Sequence, residues 1–98
     1  VAITIGEAKD LFTPRIAEAA AARRVGNGLE PGVEMGPVIS QESRARISGL
    51  IDGGLRDGAK AIVDGRHPKV NGGEHGFFIA PTVLENVREG AKETADLV

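Results

Sequence analysis

No cysteine occurs among the 98 residues. That absence removes disulfide staples, thiolate metal sites and thiol nucleophiles together. Whatever the chain folds into must be held by apolar burial and hydrogen bonding alone. The length permits one domain, which can bury roughly two-thirds of the surface exposed by its unfolded chain. With 41% hydrophobic and 27% charged residues, the composition is that of a soluble globular chain rather than a disordered one. A net charge of -2 argues against a nucleic-acid module, which would carry a basic face. No apolar run approaches the roughly 18 residues of a membrane span, and no signal or transit pattern is present. No membrane partner is expected, and the expected location is cytoplasmic. Aromatics are limited to Phe12, Phe77 and Phe78, with no Trp or Tyr, so the usual interface anchors are scarce. The first residue is Val1, inside an apolar run, as in a piece excised from a longer chain.

Residues 1–5, Val-Ala-Ile-Thr-Ile, are rich in β-branched side chains and predict a buried strand ending at Gly6. Residues 7–12 allow a first helical turn or two. Thr13-Pro14 predicts the main helix start, a capping hydroxyl followed by proline in the first turn. That helix is expected to run through the alanine-rich stretch to Arg23-Arg24, with Gly26-Asn27-Gly28 stopping it. Its weak polar face suits packing on several sides.

Residues 29–39 hold two prolines and two glycines and predict a loop. Ser40 is the expected cap of a second helix, with Glu42 in its first turn. Ile47, Leu50, Ile51 and Leu55 recur at helical spacing and predict a buried stripe. Asp52 and Arg56 lie four apart, as an intrahelical ion pair would. Gly49, Gly53 and Gly54 each weaken the helix by roughly 1 kcal/mol against alanine, which close packing would explain. Gly58 ends the helix. Residues 59–63 predict a strand, 64–65 a turn and 67–76 a polar loop. Residues 77–80 and 82–87 are the last β-like runs, and Pro81 between them implies a bulge or a sheet edge.

Few constellations carry chemistry. His67 and His75 lack helical ligand spacing and read as loop histidines. Ser40, His67 and Asp64 could be written as a triad, but no Gly-x-Ser-x-Gly elbow supports it. Gly26-Asn27-Gly28 begins like a dinucleotide fingerprint, yet it follows a helix and Pro31 stands where the third glycine belongs. Gly72-Gly73 and Gly76 could cradle phosphate, but no Lys-Ser/Thr follows and no helix opens there. The Arg23-Arg24 and Arg44/Arg46 pairs are too few for a polyanion site. No catalytic, cofactor-binding or metal-ligating residue is assigned.

The order of segments resembles the aldehyde dehydrogenase superfamily. Gly32-Val33-Glu34-Met35-Gly36-Pro37-Val38-Ile39-Ser40 is similar to its Met-Gly-Pro-Leu-Ile-Ser/Thr loop. Ile51-Asp52-Gly53-Gly54 and Asp57-Gly58-Ala59-Lys60 resemble the helix and strand that follow. Gly76-Phe77-Phe78-Ile79-Ala80-Pro81-Thr82-Val83-Leu84 resembles the Gly-x-Phe-x-x-Pro-Thr-Val run. Gly6-Glu7-Ala8-Lys9, Arg24-Val25 and Gly65-Arg66 resemble the CoA-acylating methylmalonate-semialdehyde branch. The likeness covers roughly residues 1–88. Residues 89–98 lack the Pro-Gly-Met step and the Glu-Glu-Ile-Phe-Gly-Pro motif and read as a divergent tail.

The resemblance implies an α/β fold, a single partial domain spanning 1–98 within a catalytic domain: strand–helix–helix–strand plus terminal β segments. It implies oxidation of aldehydes with NAD, through a cysteine thiolate that forms a thioester released by water or, in this branch, by CoA. That cysteine lies upstream of the strand matching residues 1–5, so the chain by itself is expected to be inactive and to bind no cofactor alone. Arg46 falls near a family position where a cation approaches the cofactor ribose; it is not assigned a role. The implied partner is the remainder of a longer dehydrogenase chain. The alternative is a non-catalytic binding or structural module that self-associates as a homo-oligomer through open sheet edges.

Overall fold

A computed structural model describes residues 1–70, 72–73 and 76–88. Two helices precede two strands: α1 (Ala8–Ala21), α2 (Gln41–Arg56), β1 (Lys60–Val63) and β2 (Val83–Glu85). The architecture is α/β. β1 and β2 pair antiparallel, Lys60 with Glu85, Ala61 with Leu84 and Val63 with Val83. The register shifts between Ala61 and Val63. The irregularity implied by Pro81 thus lies on the facing strand. Among the described residues both strands are edges.

α2 is the element most faithful to its local sequence. Ser40 is the N-cap, and its Oγ accepts from the Ser43 N–H at 3.1 Å. This satisfies one of the donors that a helix start leaves without a partner. Glu42 sits in the first turn and Arg56 in the last, both complementing the helix dipole. The end is a Schellman turn. Gly58 has φ +100°; its N–H donates to Leu55 O at 3.2 Å, and the Ala59 N–H donates to Gly54 O at 3.0 Å. A side chain would resist that φ, so glycine is required there. The predicted stripe is present: Ile51 and Gly54 are buried, while Ile47, Leu50 and Leu55 are half-buried. Among the three helical glycines, only Gly54 is buried. Gly49 has open space around it and Gly53 has only the Arg56 guanidinium nearby, so tight packing does not account for those two.

Several expectations need correction. Residues 1–5 form no strand; Val1, Ile3 and Ile5 are 81%, 86% and 83% exposed. No described segment lies beside them to complete a ladder, and a strand without a partner gains nothing from being extended. α1 begins at Ala8 rather than at Thr13, with Glu7 as a cap that makes no side-chain bond and Pro14 inside the helix. Proline has no N–H for the carbonyl four residues back, but the flanking turns close around it. α1 also ends at Ala21, before the arginines. Residues 23–25 turn away instead to meet residues 34–35. The Glu34 N–H donates to Arg24 O at 2.8 Å, the Gly26 N–H to Met35 O at 3.1 Å, and Arg23 pairs with Glu34 at 2.8 Å. An isolated parallel bridge results, joining Val25 just past the predicted helix end to Met35 in the predicted loop.

Residues 77–80 likewise form no strand, yet they supply half the core. Ile51, Ala59, Phe78 and Ile79 are its buried apolar members. α1 lies against β1 and β2, and α2 against β1. The half-buried face of α1 is Thr13, Ile16, Ala17 and Ala20, spaced as one helical stripe. None of its residues is fully buried, and Leu11 and Phe12 are exposed. The close packing suggested by its alanine content is absent among the described residues.

Candidate functional site

The densest charge cluster lies where β1 ends. Arg66 Nε and Nη2 grip the Asp64 carboxylate at 3.0 and 2.7 Å, and the Arg66 backbone N–H adds a bond to Asp64 Oδ1 at 3.1 Å. Arg66 Nη1 reaches Asp52 on α2. Asp52 therefore pairs across elements and not with Arg56, as the spacing within the helix suggested. The Arg66 side chain is largely covered, 18% exposed against 38% for Asp64. The Arg66 side chain first, then its backbone N–H, lower the Asp64 pKa from 3.8 to about 2. Asp64 in turn raises that of Arg66. Both carboxylates are engaged by the one guanidinium and the cluster keeps a net charge of -1. It ties the end of β1 to α2.

Gly65 between them explains the spacing. It is buried, its N–H donates to Thr82 Oγ1 at 2.9 Å, and its carbonyl accepts from the Ala80 N–H at 2.9 Å. A Cβ at this position would collide with the Ala80 carbonyl. Two backbone segments cross here closer than any side chain allows.

An open cleft of about 350 Å³ lies beside α2, lined by Arg44, Pro68, Lys69, Val70, Gly73, Gly76 and Phe78. Arg44 Nη1 donates to Gly76 O at 3.4 Å. Two cations and an aromatic floor make the cleft weakly anion-friendly. Its glycines do not form a phosphate cradle, however. The Gly73 N–H donates to Val70 O at 3.0 Å and the Gly76 N–H to Gly73 O at 2.9 Å.

The other sequence candidates fare similarly. Ser40 Oγ is engaged with Ser43 and Asp64 with Arg66, so neither is available to a Ser/His/Asp triad. His67 is exposed, and His75 lies outside the described residues. Arg46 is exposed on α2. Gly26 is buried against Val33, with its N–H already bound to Met35. A dinucleotide needs free backbone donors at a glycine turn or helix start. The Gly26, Gly73 and Gly76 N–H groups are spent, and Gly28 lies in a loop turn with no helix start beside it, so the residues described do not by themselves fit NAD. Among the described residues no three His, Asp or Glu groups converge on a metal position. No helix among them is long and apolar enough to cross a membrane.

Comparison with known proteins supplies what the geometry lacks. Residues 3–95 match the aldehyde dehydrogenase family, and the chain belongs to that family. Within it, the chain is similar to the acylating mitochondrial methylmalonate-semialdehyde/malonate-semialdehyde dehydrogenase of Bos taurus, 42% identical over 87 residues. That alignment covers 89% of this chain and 16% of the relative. The fold superimposes on methylmalonate-semialdehyde dehydrogenase from Oceanimonas doudoroffii with a TM-score of 0.85 and 31% identity, over 91% of this chain and 18% of that one. It superimposes on a double mutant of betaine aldehyde dehydrogenase from Staphylococcus aureus in complex with NAD+ with a TM-score of 0.83 and 32% identity. That match covers 90% of this chain and 18% of the other. The chain thus spans about a sixth of the length of the curated relative it matches.

The sequence reading missed the pairing of Asp52 with Arg66. The residues Gly65-Arg66 had already been singled out for their family likeness, and they are the crossing point and the ion clamp.

Proposed function

We propose that these 98 residues are part of the catalytic domain of an NAD-dependent aldehyde dehydrogenase that oxidises methylmalonate semialdehyde to an acyl-CoA, and that they contribute scaffold rather than chemistry. The likeness to the bovine acylating enzyme across 89% of the chain carries the reading. The absence of cysteine supports the division of labour, since the thioester route needs a thiolate that must come from outside these residues. The engaged N–H groups of Gly26, Gly73 and Gly76 support it as well, because nucleotide binding then falls to the remainder of a longer chain.

The test uses the purified chain with aldehyde, NAD and CoA, followed by NADH absorbance. No NADH is expected. NADH formation that scales with chain concentration would overturn the assignment of the chemistry elsewhere. The cytoplasmic location expected from sequence belongs to the same reading, whereas the bovine relative is described as mitochondrial; cell fractionation separates the two.

A second reading, a non-catalytic module that self-associates, is favoured by the exposure of Val1, Ile3 and Ile5 and by the two open strand edges. Sedimentation decides it. A defined oligomer supports this reading, and a monomer at all concentrations removes it.

A further inference from the structure

The Gly26-Asn27-Gly28 turn binds no nucleotide by the argument above, but its geometry suits a different reaction. Asn27 and Gly28 are both exposed. The Glu30 N–H donates to Asn27 O at 3.0 Å, closing a turn with Gly28 at its second position. The Leu29 N–H donates to Asn27 Oδ1 at 3.0 Å. This bond draws electron density from the side-chain amide and leaves Cγ more electrophilic. It also folds that side chain back over the residues that follow it. Among the described residues, no group accepts a hydrogen bond from the Gly28 N–H. That nitrogen is therefore open to solvent base. No heavy atom outside its two chain neighbours lies within 4 Å of where a Gly28 Cβ would stand, so the turn is uncrowded at Gly28.

We propose that Asn27 is a site of spontaneous deamidation through a succinimide, with the Gly28 backbone nitrogen as nucleophile. The Gly28 nitrogen gives its proton to solvent and attacks Asn27 Cγ. The Cγ–Nδ2 bond breaks and ammonia leaves with a proton from water, closing a five-membered imide. Water then adds to either imide carbonyl, opening the ring to aspartate or to isoaspartate. The net change consumes one water and releases one ammonia, with no oxidant or reductant. Either product puts a new carboxylate on the acidic turn that already holds Glu30. The isoaspartate route also lengthens the backbone between Gly26, whose N–H anchors the bridge to Met35, and Gly28.

The flanking structure separates this site from Asn86, where the next residue is the β-branched Val87 and a side chain crowds the attacking nitrogen. Incubation of the folded chain in mildly alkaline buffer, followed by proteolysis and mass spectrometry, reads Asn27, Asn71 and Asn86 on separate peptides, and the comparison is between Asn27 and Asn86. The expected result is conversion at Asn27 to a mixture of aspartate and isoaspartate, ahead of Asn86. Gly28→Ala, which meets open space, should slow the reaction at Asn27 about tenfold by restricting the backbone at the attacking residue. An Asn27 that stays amidated in native buffer while the urea-unfolded chain converts would overturn the proposal. So would a Gly28→Ala chain that reacts as fast as the parent.

Discussion

Gly65 is the position where a single methyl group should do the most damage. Its added Cβ would fall on the carbonyl of Ala80 and within 2.7 Å of Pro81 O. Both are backbone atoms, so no rotamer change can yield the space. The segments must separate, and this strains the bonds from Gly65 N to Thr82 Oγ1 and from Ala80 N to Gly65 O, each 2.9 Å. Overpacking of this kind costs about 1–3 kcal/mol, and each weakened hydrogen bond adds up to about 1 kcal/mol. Gly65→Ala should therefore lose about 2–4 kcal/mol. A chain of this length has only about 5–15 kcal/mol to lose, and four buried apolar residues put this one toward the low end. Gly49→Ala is the control. It adds the same methyl group in a helix interior, where nothing lies within 4 Å, and should gain up to about 1 kcal/mol from helix propensity alone. Urea unfolding followed by far-UV circular dichroism measures both. Opposite signs are expected. Equal stabilities, or a Gly65→Ala chain as stable as the parent, would refute the close crossing.

Removing the α2 cap with Ser40→Ala should cost about 1 kcal/mol, read as a lower urea midpoint with an unchanged slope. Thr82→Val keeps the shape but removes the acceptor for the Gly65 N–H; a loss of about 1–2 kcal/mol is expected in the same assay. Acid should weaken the fold through Asp64. Its folded pKa of about 2 lies below the ordinary 3.8, so its contribution is complete above pH 3.8 and is lost as the pH falls toward 2. Solvent screening of a carboxylate that is 38% exposed limits the effect to at most about 1 kcal/mol. Asp64→Asn should flatten that part of the pH–stability curve, and a curve with the same acid slope would remove Asp64 as its source.

What was legible in the sequence divides by distance along the chain. Ser40, the stripe from Ile47 to Leu55 and Gly58 act on neighbours within a turn or two, and α2 follows them closely. β1 is likewise marked by its own β-branched run. α1 ends before Arg23 and Arg24: Arg23 still donates through Nε to Ala19 O at the helix end, but Arg23 and Arg24 also bond to Glu34, eleven and ten residues on, which local spacing does not report. Asp52 was assigned to Arg56 by local spacing, while its partner comes from the far side of β1. The charge cluster is made of side chains separated by 2 and 14 positions, and no periodicity reports the longer pairing. The resemblance to aldehyde dehydrogenases was legible because its motifs sit at turns: Gly36-Pro37 before the α2 cap, Gly65-Arg66 at the crossing and Pro81-Thr82 facing it.

The same distinction bears on the exposed apolar residues. Residues 1–5 and the α1 residues Leu11 and Phe12 have the composition of core segments, yet they face solvent. Burial of such side chains is worth about 1.5–3 kcal/mol each, so leaving them open forgoes much of the stability that a chain this short could have. By contrast, α2, β1 and the 77–80 segment satisfy their own pattern internally. The chain therefore has one half whose sequence and structure agree and another whose pattern asks for neighbours. Under the scaffold reading, the second half is where the rest of a longer dehydrogenase packs. A chain extended upstream and downstream should bury Ile3, Ile5 and Leu11. Hydrogen exchange of amides 3–12 then discriminates: strong protection in the extended protein with none in the 98-residue chain supports that packing, and equal exchange in both would count against it.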